Sequence, residues 1–409
     1  MSGHYTIGIL VRQFPNIVQT YVLNHIMAIR DAGTETLIIA ERDPQLDVVH
    51  PDITGHRLLD DTVYVHINRD RILSELLSTP LWNPRYLALA LRVLLSPALC
   101  GFGLAYRLRA MLRCRVMLKK PLDIIHSHSL FSTHQYLFLE RCFGIPIVTT
   151  FHGLVPNNVA MLSSDRIEQV FEDGEAFLCN THFAERQLQS MHCPQQKIHI
   201  IPQGTNTADF PYRERAISEE DEIIVLSVGR LSVEKGFHIA IDAIARLVER
   251  LPRLRYRIIG RGLEQDALQA RIDDMGLVEN VQLLSGVSTE ELQRQYASAH
   301  MFVLPSIEMQ DGSHTETQGV VLQEAQSSGL PVIASRTGGI PEMIHHEQTG
   351  LLFDEHDDEQ LAAHIARLIN DPLFYDTLRV QARKDVDDHL SREAIHERQD
   401  ALYRKVLDR

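Results

Sequence analysis

Two carboxylates separated by seven residues mark the stretch of this sequence with the most specific chemistry. Glu316 stands in a polar loop, and Glu324 lies in the next segment, GVVLQEAQSSG, whose apolar spacing predicts a helix. A helix N-terminus offers backbone N–H groups and the positive end of a dipole, which suit an anion. Carboxylates on either side could accept hydrogen bonds from flanking hydroxyls, so the pattern fits a diphosphate between two sugars. The same pattern also fits a site without a ligand, in which Glu316 complements the helix dipole and Glu324 is solvated.

Short apolar runs on either side of this segment predict the strands that position it. MFVLPS before the loop and PVIASR after the helix are expected to be buried strands of a parallel sheet. An earlier loop, GRLSVEKG, joins the predicted strand DEIIVLSVGR to another helix. Its two cations, Arg230 and Lys235, follow a strand end. They complement a pyrophosphate, because an Arg side chain can bind two oxygens at once and a Lys side chain acts as a point charge.

The first half of the chain shows the same alternation of strands and helices. TIGILV, a helix from about Val18 to Asp31 and TLIIA form a βαβ unit without the Gly-x-Gly-x-x-Gly fingerprint of dinucleotide sites. The first loop, RQFPNIVQT, follows a strand end and is either a wall of an active site or an ordinary connector. His152 also follows a strand and is either functional or structural. His126 and His128 alternate on the strand before it.

Length, charge and cysteine content limit the class of protein. A chain of 409 residues exceeds the usual size of one core, so two domains are expected. The formal net charge of −14 argues against nucleic acid as a partner. The five cysteines fit neither a zinc site nor a disulfide framework, which indicates a reducing compartment. No secretory signal pattern opens the sequence, so we expect a cytoplasmic protein.

A polar segment divides the chain. We interpret residues 205–222 as a linker between an N-terminal Rossmann-like domain, residues 1–204, and a C-terminal one, residues 223–391. Residues 392–409 are predicted to form a last helix beyond the core of the second domain. The expected fold class is therefore α/β, with two parallel-sheet domains.

Residues 80–120 interrupt the α/β pattern with eight Arg or Lys residues and no acid. Tyr86 to Tyr106 is a run of 21 residues with a single charge, long enough to suggest a transmembrane span. Pro97 and two glycines interrupt it. We therefore favour two amphipathic helices whose basic, Trp-bearing surface lies on anionic lipid. Two ordinary helices packed within the first domain are the alternative.

Together, GRLSVEKG and ETQGVVLQEAQSSGLPVIASRTGGIPE resemble the GT4 family of retaining, GT-B-fold glycosyltransferases. DIIHSH, TFHG and IPQGTNTADF extend the resemblance over the whole chain, and QFPNIVQTYVLNHI is similar to the exopolysaccharide and capsule subgroup, such as colanic-acid-type transferases. The resemblance implies two Rossmann-like domains that face each other across a cleft. The nucleotide-sugar donor would lie mainly on the second domain, and the terminal helix would return to the first.

The resemblance also implies roles for particular residues. Glu316 would hold hydroxyls of the transferred sugar and His152 would contact that sugar at the reacting centre, so these two are the catalytic candidates. Glu324 would bind the ribose. The other donor-binding candidates are the cations Arg230 and Lys235, the loop backbone of Thr317, Gln318, Gly319 and Val320, and the base-pocket residues Gly260 and Val287. The acceptor-side candidates are Phe14, Pro15, Asn16 and Gln19 of the first loop.

The sequence departs from the family pattern at two loops. The family has Glu-Gly-Phe-Gly where this chain has Glu-Thr-Gln-Gly, so Thr317 places a β-branched side chain where glycine allows close backbone approach. The preceding QDGSHT is longer and more polar than usual, and FPN replaces the Gly-Gly of the first N-terminal loop. We expect the first of these loops to give this protein a sugar preference that differs from that of the family.

The implied reaction is the retaining transfer of a hexosyl unit from a UDP- or GDP-sugar to a hydroxyl of a glycan or lipid-linked glycan in bacterial surface polysaccharide synthesis. Arg230, Lys235 and the helix N-terminus would stabilise charge on the departing diphosphate. The sequence has no persuasive Asp-x-Asp in a strand-end loop, so we expect no metal and no other cofactor. The alternatives are a sugar-nucleotide epimerase or phosphorylase on the same fold, and a non-catalytic nucleotide-sugar-binding subunit, which the altered loop favours.

Overall fold

Each half of the chain is built on a parallel β-sheet, as seen in a computed structural model that describes residues 5–15, 20–45, 50–65, 67, 75, 79–154, 162–218, 221–311 and 314–408. The chain divides into two compact units. The N-terminal unit comprises Met1–Asn180, Ala184–Ile201 and His396–Arg409, and the C-terminal unit comprises Thr181–Phe183 and Pro202–Ile395.

The N-terminal sheet has seven strands in the order β3-β2-β1-β4-β5-β6-β7. Its strands are β1 (Thr6–Gln13), β2 (Glu35–Arg42), β3 (Thr62–Tyr64), β4 (Ile124–Ser127), β5 (Ile147–Phe151), β6 (Ala176–Cys179) and β7 (Ile198–Ile200). All of its pairings are parallel. Successive residues of β1, from Ile7 to Val11, are buried, which is typical of a strand covered on both faces by helices.

The C-terminal sheet has six strands in the order β10-β9-β8-β11-β12-β13, again all parallel. Its strands are β8 (Ile223–Val228), β9 (Leu254–Ile259), β10 (Val281–Leu284), β11 (Met301–Leu304), β12 (Val332–Ser335) and β13 (Leu351–Phe353). The strand order reverses between β8 and β11 here, and between β1 and β4 in the first sheet. Ligands of open parallel sheets bind at such reversal points, beyond the carboxyl ends of the strands.

Helices connect and cover the strands. They are α1 (Thr20–Asp31), α2 (Pro51–Gly55), α3 (Pro84–Leu95), α4 (Leu104–Arg113), α5 (Leu130–Phe143), α6 (Ser164–Asp173), α7 (His182–Ser190), α8 (Phe237–Val248), α9 (Gln265–Asp274), α10 (Thr289–Ser298), α11 (Val320–Ser327), α12 (Ile340–Met343), α13 (Asp358–Asn370), α14 (Pro372–Asp385) and α15 (Arg392–Leu407). Short 3-10 turns include Pro97–Leu99 and Val233–Lys235, and Val386–Leu390 forms a π-helical turn.

Helix ends follow the local sequence in most places. Ser288 caps α10, because its side chain accepts a hydrogen bond from the Glu291 N–H. The N-cap position of α5 is Ser129. Ser132 lies inside the helix, and its hydroxyl donates to the Glu41 carboxylate at 2.9 Å.

Helix α15 belongs to the N-terminal unit from His396 onward, so the prediction that the terminal helix returns to the first domain is confirmed. The buried ring of Tyr403 anchors it in the core of that unit. At the edge of the same helix, the Tyr5 hydroxyl donates to the Asp400 carboxylate. The predicted α/β architecture with two Rossmann-like domains is likewise confirmed.

The basic segment 80–120 forms two helices, α3 and α4, that are interrupted after Leu95. Pro97 begins a 3-10 turn there, because a proline at that point cannot continue the hydrogen bonds of the preceding helix. Within the part of the chain that the structure describes, none of the helices combines the length and the apolar character needed to cross a bilayer.

Candidate active site

The loops that follow β8 and β11 meet because these two strands are neighbours in the C-terminal sheet. They bring Lys235 and Glu316 together, with Nζ of the lysine 2.5 Å from Oε2 of the glutamate. Both side chains are mostly buried. Two residues that the sequence assigned to different parts of a donor therefore form one ion pair at the reversal point of the sheet.

The first of these loops passes so close to the second that its last position has to be glycine. Gly236 has φ +63, and a Cβ atom there would lie 1.9 Å from the Pro305 carbonyl oxygen. A 3-10 turn, Val233–Lys235, precedes it and directs Lys235 toward the second loop. The Glu234 carboxylate binds Arg230 at 2.9 Å and accepts from Ser232 at 2.6 Å. Arg230 is thereby held beside the loop and remains exposed to solvent.

The charge state of Glu316 results from two opposed effects. Burial favours its neutral form, but the Lys235 ammonium, His314 and the Gly319 N–H outweigh this and lower the pKa of Glu316 below its ordinary value. Glu316 is therefore a carboxylate at neutral pH, an acceptor for ligand hydroxyls beside a cation.

The N-terminus of α11 lies at the end of the second loop. Gly319 is its N-cap residue, with φ +79, and no side chain of the described residues caps the helix. The Gln318 side chain is buried and forms two 2.8 Å hydrogen bonds with the Gln203 backbone. The amide of Gln318 thus anchors the loop, while the first N–H groups of the helix, at Val320 and Val321, have no side-chain cap within the described part of the chain.

Thr317 does not prevent close backbone contacts at this loop. Gly339 donates its N–H to the Glu316 carbonyl at 2.9 Å, and a Cβ atom on Gly339 would lie 2.0 Å from the Thr317 carbonyl oxygen. A Cβ atom on Gly338 would lie equally close to the Glu316 carbonyl oxygen, at 2.0 Å. Gly338 and Gly339, in the facing segment, therefore permit this close approach.

Glu324 lies inside α11 and is 8% exposed. Its Oε2 accepts a hydrogen bond from the Tyr296 hydroxyl at 2.9 Å. Burial raises the pKa of Glu324 to about 7; the Tyr296 hydrogen bond lowers it, and Asp209 raises it further. The group therefore changes charge near neutral pH, and its burial excludes the reading of Glu324 as a solvated acid.

Gly260 and Val287 lie beyond the ends of β9, which pairs with β8, and of β10, which pairs with β9. Gly260 is required by the first loop, since a Cβ atom there would lie 1.8 Å from the Gly229 carbonyl oxygen. Val287 is partly buried and packs against the apolar cluster that includes Tyr296. The structure thus places the two base-pocket candidates on the same sheet edge as Arg230.

His152 follows β5 in the N-terminal unit. Its Nε2 lies 3.2 Å from Nδ1 of His128, and the two rings are stacked with centroids 5.4 Å apart. The Tyr21 ring is 4.6 Å away. Burial lowers the pKa of His152 to about 4, so the imidazole is neutral at physiological pH.

The acceptor-side candidates are only partly described. Phe14 and Pro15 are buried, and the Phe14 N–H donates to the Arg42 carbonyl at 3.2 Å. Asn16 and Gln19 lie outside the described residues.

Sequence reasoning missed two residues of the C-terminal site. Tyr296, which binds Glu324, lies 28 positions away on another helix, and no local pattern relates the two. His314 lies in the polar loop beside Glu316, and its Nε2 is buried without a hydrogen-bond partner among the described residues. Burial and the nearby Lys235 lower the pKa of His314. The unusual length of QDGSHT was the signal, but it did not identify the side chain.

Comparisons with known proteins identify related sequences and folds. Residues 18–209 match the family model described as Glycosyltransferase Family 4, and residues 210–385 match the one described as Glycosyl transferases group 1. WcaL of Escherichia coli, named as a colanic acid biosynthesis glycosyltransferase, is 28% identical over 88% of this chain and 89% of its own. AmsK of Erwinia amylovora, named as an amylovoran biosynthesis glycosyltransferase, is 34% identical over 54% of each chain.

Solved structures share the fold. HepE of Anabaena, crystallised with UDP, has a TM-score of 0.73 at 16% identity, covering 98% of this chain and all of that one (100%). A sucrose-phosphate synthase from Thermosynechococcus elongatus has a TM-score of 0.71 at 21% identity, with coverage of 99% and 100%. The two family models account for residues 18–385 without a gap. The chain is therefore a two-domain glycosyltransferase of GT-B fold, with a family 4 domain as its N-terminal half and a group 1 domain as its C-terminal half.

Proposed function

We propose that the protein transfers a hexosyl unit, with retention of configuration, from a UDP- or GDP-sugar to a hydroxyl of a glycan or lipid-linked glycan in bacterial surface polysaccharide synthesis. The observation that carries the proposal is the Lys235–Glu316 ion pair beside the uncapped N-terminus of α11. WcaL and AmsK are named for polysaccharide biosynthesis, and HepE is crystallised with UDP and with UDP-glucose, which supports this substrate class.

A donor would use both members of the ion pair. Its diphosphate offers oxygens to the Lys235 ammonium and to the N–H groups at the start of α11, and its sugar offers hydroxyls to Glu316. As the glycosidic bond loosens, negative charge grows on the departing diphosphate, and the lysine and helix N-terminus are already oriented to stabilise it. Arg230, exposed beside the same loop, would add a second cation. These groups supply positive charge where other transferases use a metal, so we propose metal-independent transfer.

The stereochemical proposal rests on the two acids. A double displacement needs a carboxylate nucleophile at the anomeric carbon. Glu316 is committed to Lys235, and Glu324 is buried against Tyr296, where it would serve the ribose. Attack on the same face that the diphosphate leaves, with the leaving phosphate accepting the acceptor proton, is the route that these groups support. His152, on the N-terminal unit, would contact the transferred sugar.

Turnover of defined donors tests the proposal. We would incubate the protein with UDP-, GDP- and ADP-sugars and a membrane extract, and measure the released nucleoside diphosphate and the anomeric configuration of the product by NMR. Lys235→Met and Glu316→Gln should each lower turnover by about 100-fold or more, as expected when a preorganised charge is removed. Turnover in the presence of EDTA should be unchanged.

The Lys384–Asp388 pair provides the matched control. It is an ion pair on the surface of the same unit, far along the chain from the loops. Lys384→Met and Asp388→Asn should leave turnover unchanged. If no donor is bound or hydrolysed, or if the Lys235 and Glu316 variants retain normal rates, the transferase site is wrongly assigned. Binding without turnover would identify a non-catalytic nucleotide-sugar-binding subunit.

We also propose that α3 and α4 contact the surface of the cytoplasmic membrane. Leu87, Leu91 and Leu95 form a stripe on α3 and are 43%, 46% and 74% exposed. Trp82, which precedes the helix, is 86% exposed, and Leu104 at the start of α4 is exposed as well. Burial of such a stripe in the interface of a bilayer removes apolar surface from water.

The basic residues of this segment contribute less than their number suggests. Arg113 is buried against Gln135 and Tyr136, Arg115 pairs with Glu75 at 2.6 Å, and Lys120 pairs with Asp61 at 3.0 Å. Arg107 donates to backbone carbonyls. Arg85, Arg92 and Lys119 remain exposed, so we expect attraction to anionic lipid to assist a mainly apolar contact.

Vesicle co-sedimentation tests the membrane proposal. The protein should bind vesicles that contain anionic lipid, and the triple variant Leu87→Ser, Leu91→Ser, Leu95→Ser should lose binding. The double variant Leu373→Ser, Val380→Ser removes apolar residues exposed in the C-terminal unit and should bind normally. Equal binding by both variants, or none by the parent protein, would refute the contact.

A further inference from the structure

A line of hydrogen bonds leads from His152 into the core of the N-terminal unit. Its Nε2 lies 3.2 Å from Nδ1 of His128, and the other ring nitrogen of His128, Nε2, lies 3.1 Å from Nδ1 of His25. His128 and His152 are partly exposed, whereas His25 is buried in α1. The line thus starts at a strand end and runs inward.

The line continues through the C-terminal helix. The Tyr403 hydroxyl lies 2.9 Å from Nε2 of His25 and 2.6 Å from Nδ1 of His126. The second nitrogen of His126 lies 2.7 Å from the Thr150 hydroxyl, where the line ends. We call this set the histidine chain: Thr150, His126, Tyr403, His25, His128 and His152.

The four imidazoles of the histidine chain are neutral. Burial lowers the pKa of His25 to about 3 and that of His152 to about 4, and it lowers the pKa of His126 and of His128 well below the ordinary range. A neutral imidazole has one donor nitrogen and one acceptor nitrogen, and the tyrosine hydroxyl has one proton. The tautomers are therefore coupled, and the hydrogen bonds can all run toward His152 or all run away from it.

The far end of the chain selects between these directions. The Thr150 hydroxyl is buried in β5, and His126 is its hydrogen-bond partner among the described residues. If the bonds ran toward Thr150, its hydroxyl would accept from His126 and its own proton would have no acceptor. A buried donor without an acceptor is costly, whereas an unused lone pair on an oxygen is tolerated. The bonds therefore run from Thr150 toward His152.

We infer that the histidine chain holds His152 as the tautomer that carries its proton on Nδ1, with Tyr403, His25 and His128 as positioning residues. Since Nε2 of His152 accepts from His128, any hydrogen bond from His152 to a ligand hydroxyl comes from Nδ1. This inference rests on the proposed function, in which His152 contacts the transferred sugar. A ring fixed in one tautomer presents its donor without reorganisation when the sugar reacts.

A metal site is the competing explanation for the same residues. Ring nitrogens of His25, His126 and His128 lie within 4.8 Å of one another, a spacing that could hold a cation. However, all six ring nitrogens of these three residues already have partners in the histidine chain. The Tyr403 hydroxyl lies between two of the rings, so a bound metal would displace bonds that satisfy buried groups.

NMR of protein labelled with 15N in the histidine rings tests the inference directly, because protonated and unprotonated ring nitrogens differ in chemical shift. His152→Ala assigns the signals of His152. The full-length protein should show its Nδ1 protonated and its Nε2 unprotonated. Tyr403→Phe removes the hydroxyl that transmits the direction, so both His152 tautomers should become populated.

Tyr5→Phe is the matched control, since it removes a tyrosine hydroxyl that donates to Asp400 of α15 but lies outside the histidine chain. It should leave the His152 signals unchanged. If Tyr403→Phe does not fold, Thr150→Val removes the donor at the far end and should also mix the tautomers. An Nε2-protonated His152, or a tautomer unaffected by Tyr403→Phe or Thr150→Val, would overturn the inference. So would stoichiometric binding of Zn²⁺ that shifts the signals of His25, His126 and His128.

Kinetics separate this inference from the proposed function. If the competent tautomer of Tyr403→Phe falls to about a tenth of the molecules, its kcat should fall about tenfold with little change in the KM for the donor, because the contact from Nδ1 of His152 is made during the reaction. His152→Ala removes that contact altogether and should lower kcat further. Absence of turnover in the parent protein would refute the proposed function and leave the NMR result to decide the tautomer.

Discussion

Glu324 should make the C-terminal unit less stable as the pH rises, and Glu324→Gln should remove this effect. A raised pKa means that the folded protein prefers the protonated acid. Below pH 4.5 the carboxyl is protonated in both folded and unfolded states, and the preference has no effect on stability. Between the ordinary pKa and the raised one, the unfolded state releases the proton and the folded state retains it, so the free energy of unfolding falls.

The magnitude follows from the two pKa values. The interval from the ordinary value of 4.5 to about 7 corresponds to about 3 kcal/mol, at about 1.4 kcal/mol for each pH step. The full loss should be present above pH 7. Glutamine keeps an oxygen that can accept from the Tyr296 hydroxyl and cannot ionise. Relative to the parent protein, Glu324→Gln should therefore be about equally stable near pH 4.5 and more stable by up to about 3 kcal/mol at pH 8.

Hydrogen exchange is the suitable assay. The single tryptophan, Trp82, lies in the N-terminal unit, so its fluorescence does not report on the unit that contains Glu324. Exchange of the most protected amides of β11 and α11, corrected for the intrinsic rate at each pH, gives the free energy of opening there. Glu249→Gln, an exposed change on the same unit, is the control.

Parallel stability curves for the parent protein and Glu324→Gln from pH 5 to pH 8 would refute the reasoning. The same substitution should weaken UDP or GDP binding by about tenfold or more, because a hydrogen bond from a ribose hydroxyl to a charged acceptor is stronger than one to an amide. A variant that is more stable yet binds the nucleotide less tightly would show that the buried acid is kept for the ligand.

Three further changes test other contacts of the C-terminal unit. Lys235→Met should destabilise the unit by about 3 kcal/mol because it leaves the Glu316 carboxylate buried without its cation, and adding Glu316→Gln should restore most of this stability, measured by hydrogen exchange, but not turnover. Gly339→Ala places a methyl group 2.0 Å from the Thr317 carbonyl oxygen, so we expect a loss of about 1–3 kcal/mol and weaker donor binding by calorimetry, whereas normal binding would refute the tight fit. Arg215→Met removes five hydrogen bonds, four of them to acceptors at the ends of α10 and α11 and one to the Arg213 carbonyl, and should lower stability by about 2–4 kcal/mol by the same exchange assay; a loss below about 1 kcal/mol would contradict a structural role for the guanidinium.

The elements around the ion pair could be predicted from sequence because local rules determine them. Apolar runs identified β8 and β11, and glycines and polar residues marked the loops after them. Neighbouring parallel strands bring their carboxyl ends together, so Lys235 and Glu316 were expected on one sheet edge. That they bind each other was not predicted, since the sequence assigned them to different parts of an absent ligand.

Contacts between distant segments could not be predicted in this way. His126 and His128 were visible as alternate residues of one strand, but no periodicity relates them to His25 on α1 or to Tyr403 near the end of the chain. The same holds for Glu324 and Tyr296. In each case a buried polar group finds its partner through the tertiary packing, which leaves no local trace in the sequence.

For the basic segment, the number of charged residues in the sequence overstated the electrostatic character of the surface. Eight basic residues without an acid predicted an electrostatic surface. The structure uses Arg113, Arg115 and Lys120 for internal contacts and leaves a row of leucines exposed. The sequence could not separate these uses, because burial depends on how α3 and α4 pack against the rest of the unit.

The return of α15 to the N-terminal unit has a consequence for how the protein is made. This unit is discontinuous in sequence, since it combines residues 1–180 with His396–Arg409. The first of these segments therefore leaves the ribosome long before the last. Until Tyr403 arrives, Nε2 of His25 and Nδ1 of His126 lack their shared partner, and the core of the first unit is incomplete. A chain that stops after the second sheet would therefore have both sheets but an unfinished first unit. Completion of synthesis, rather than folding of either half, determines when the environment of His152 is assembled.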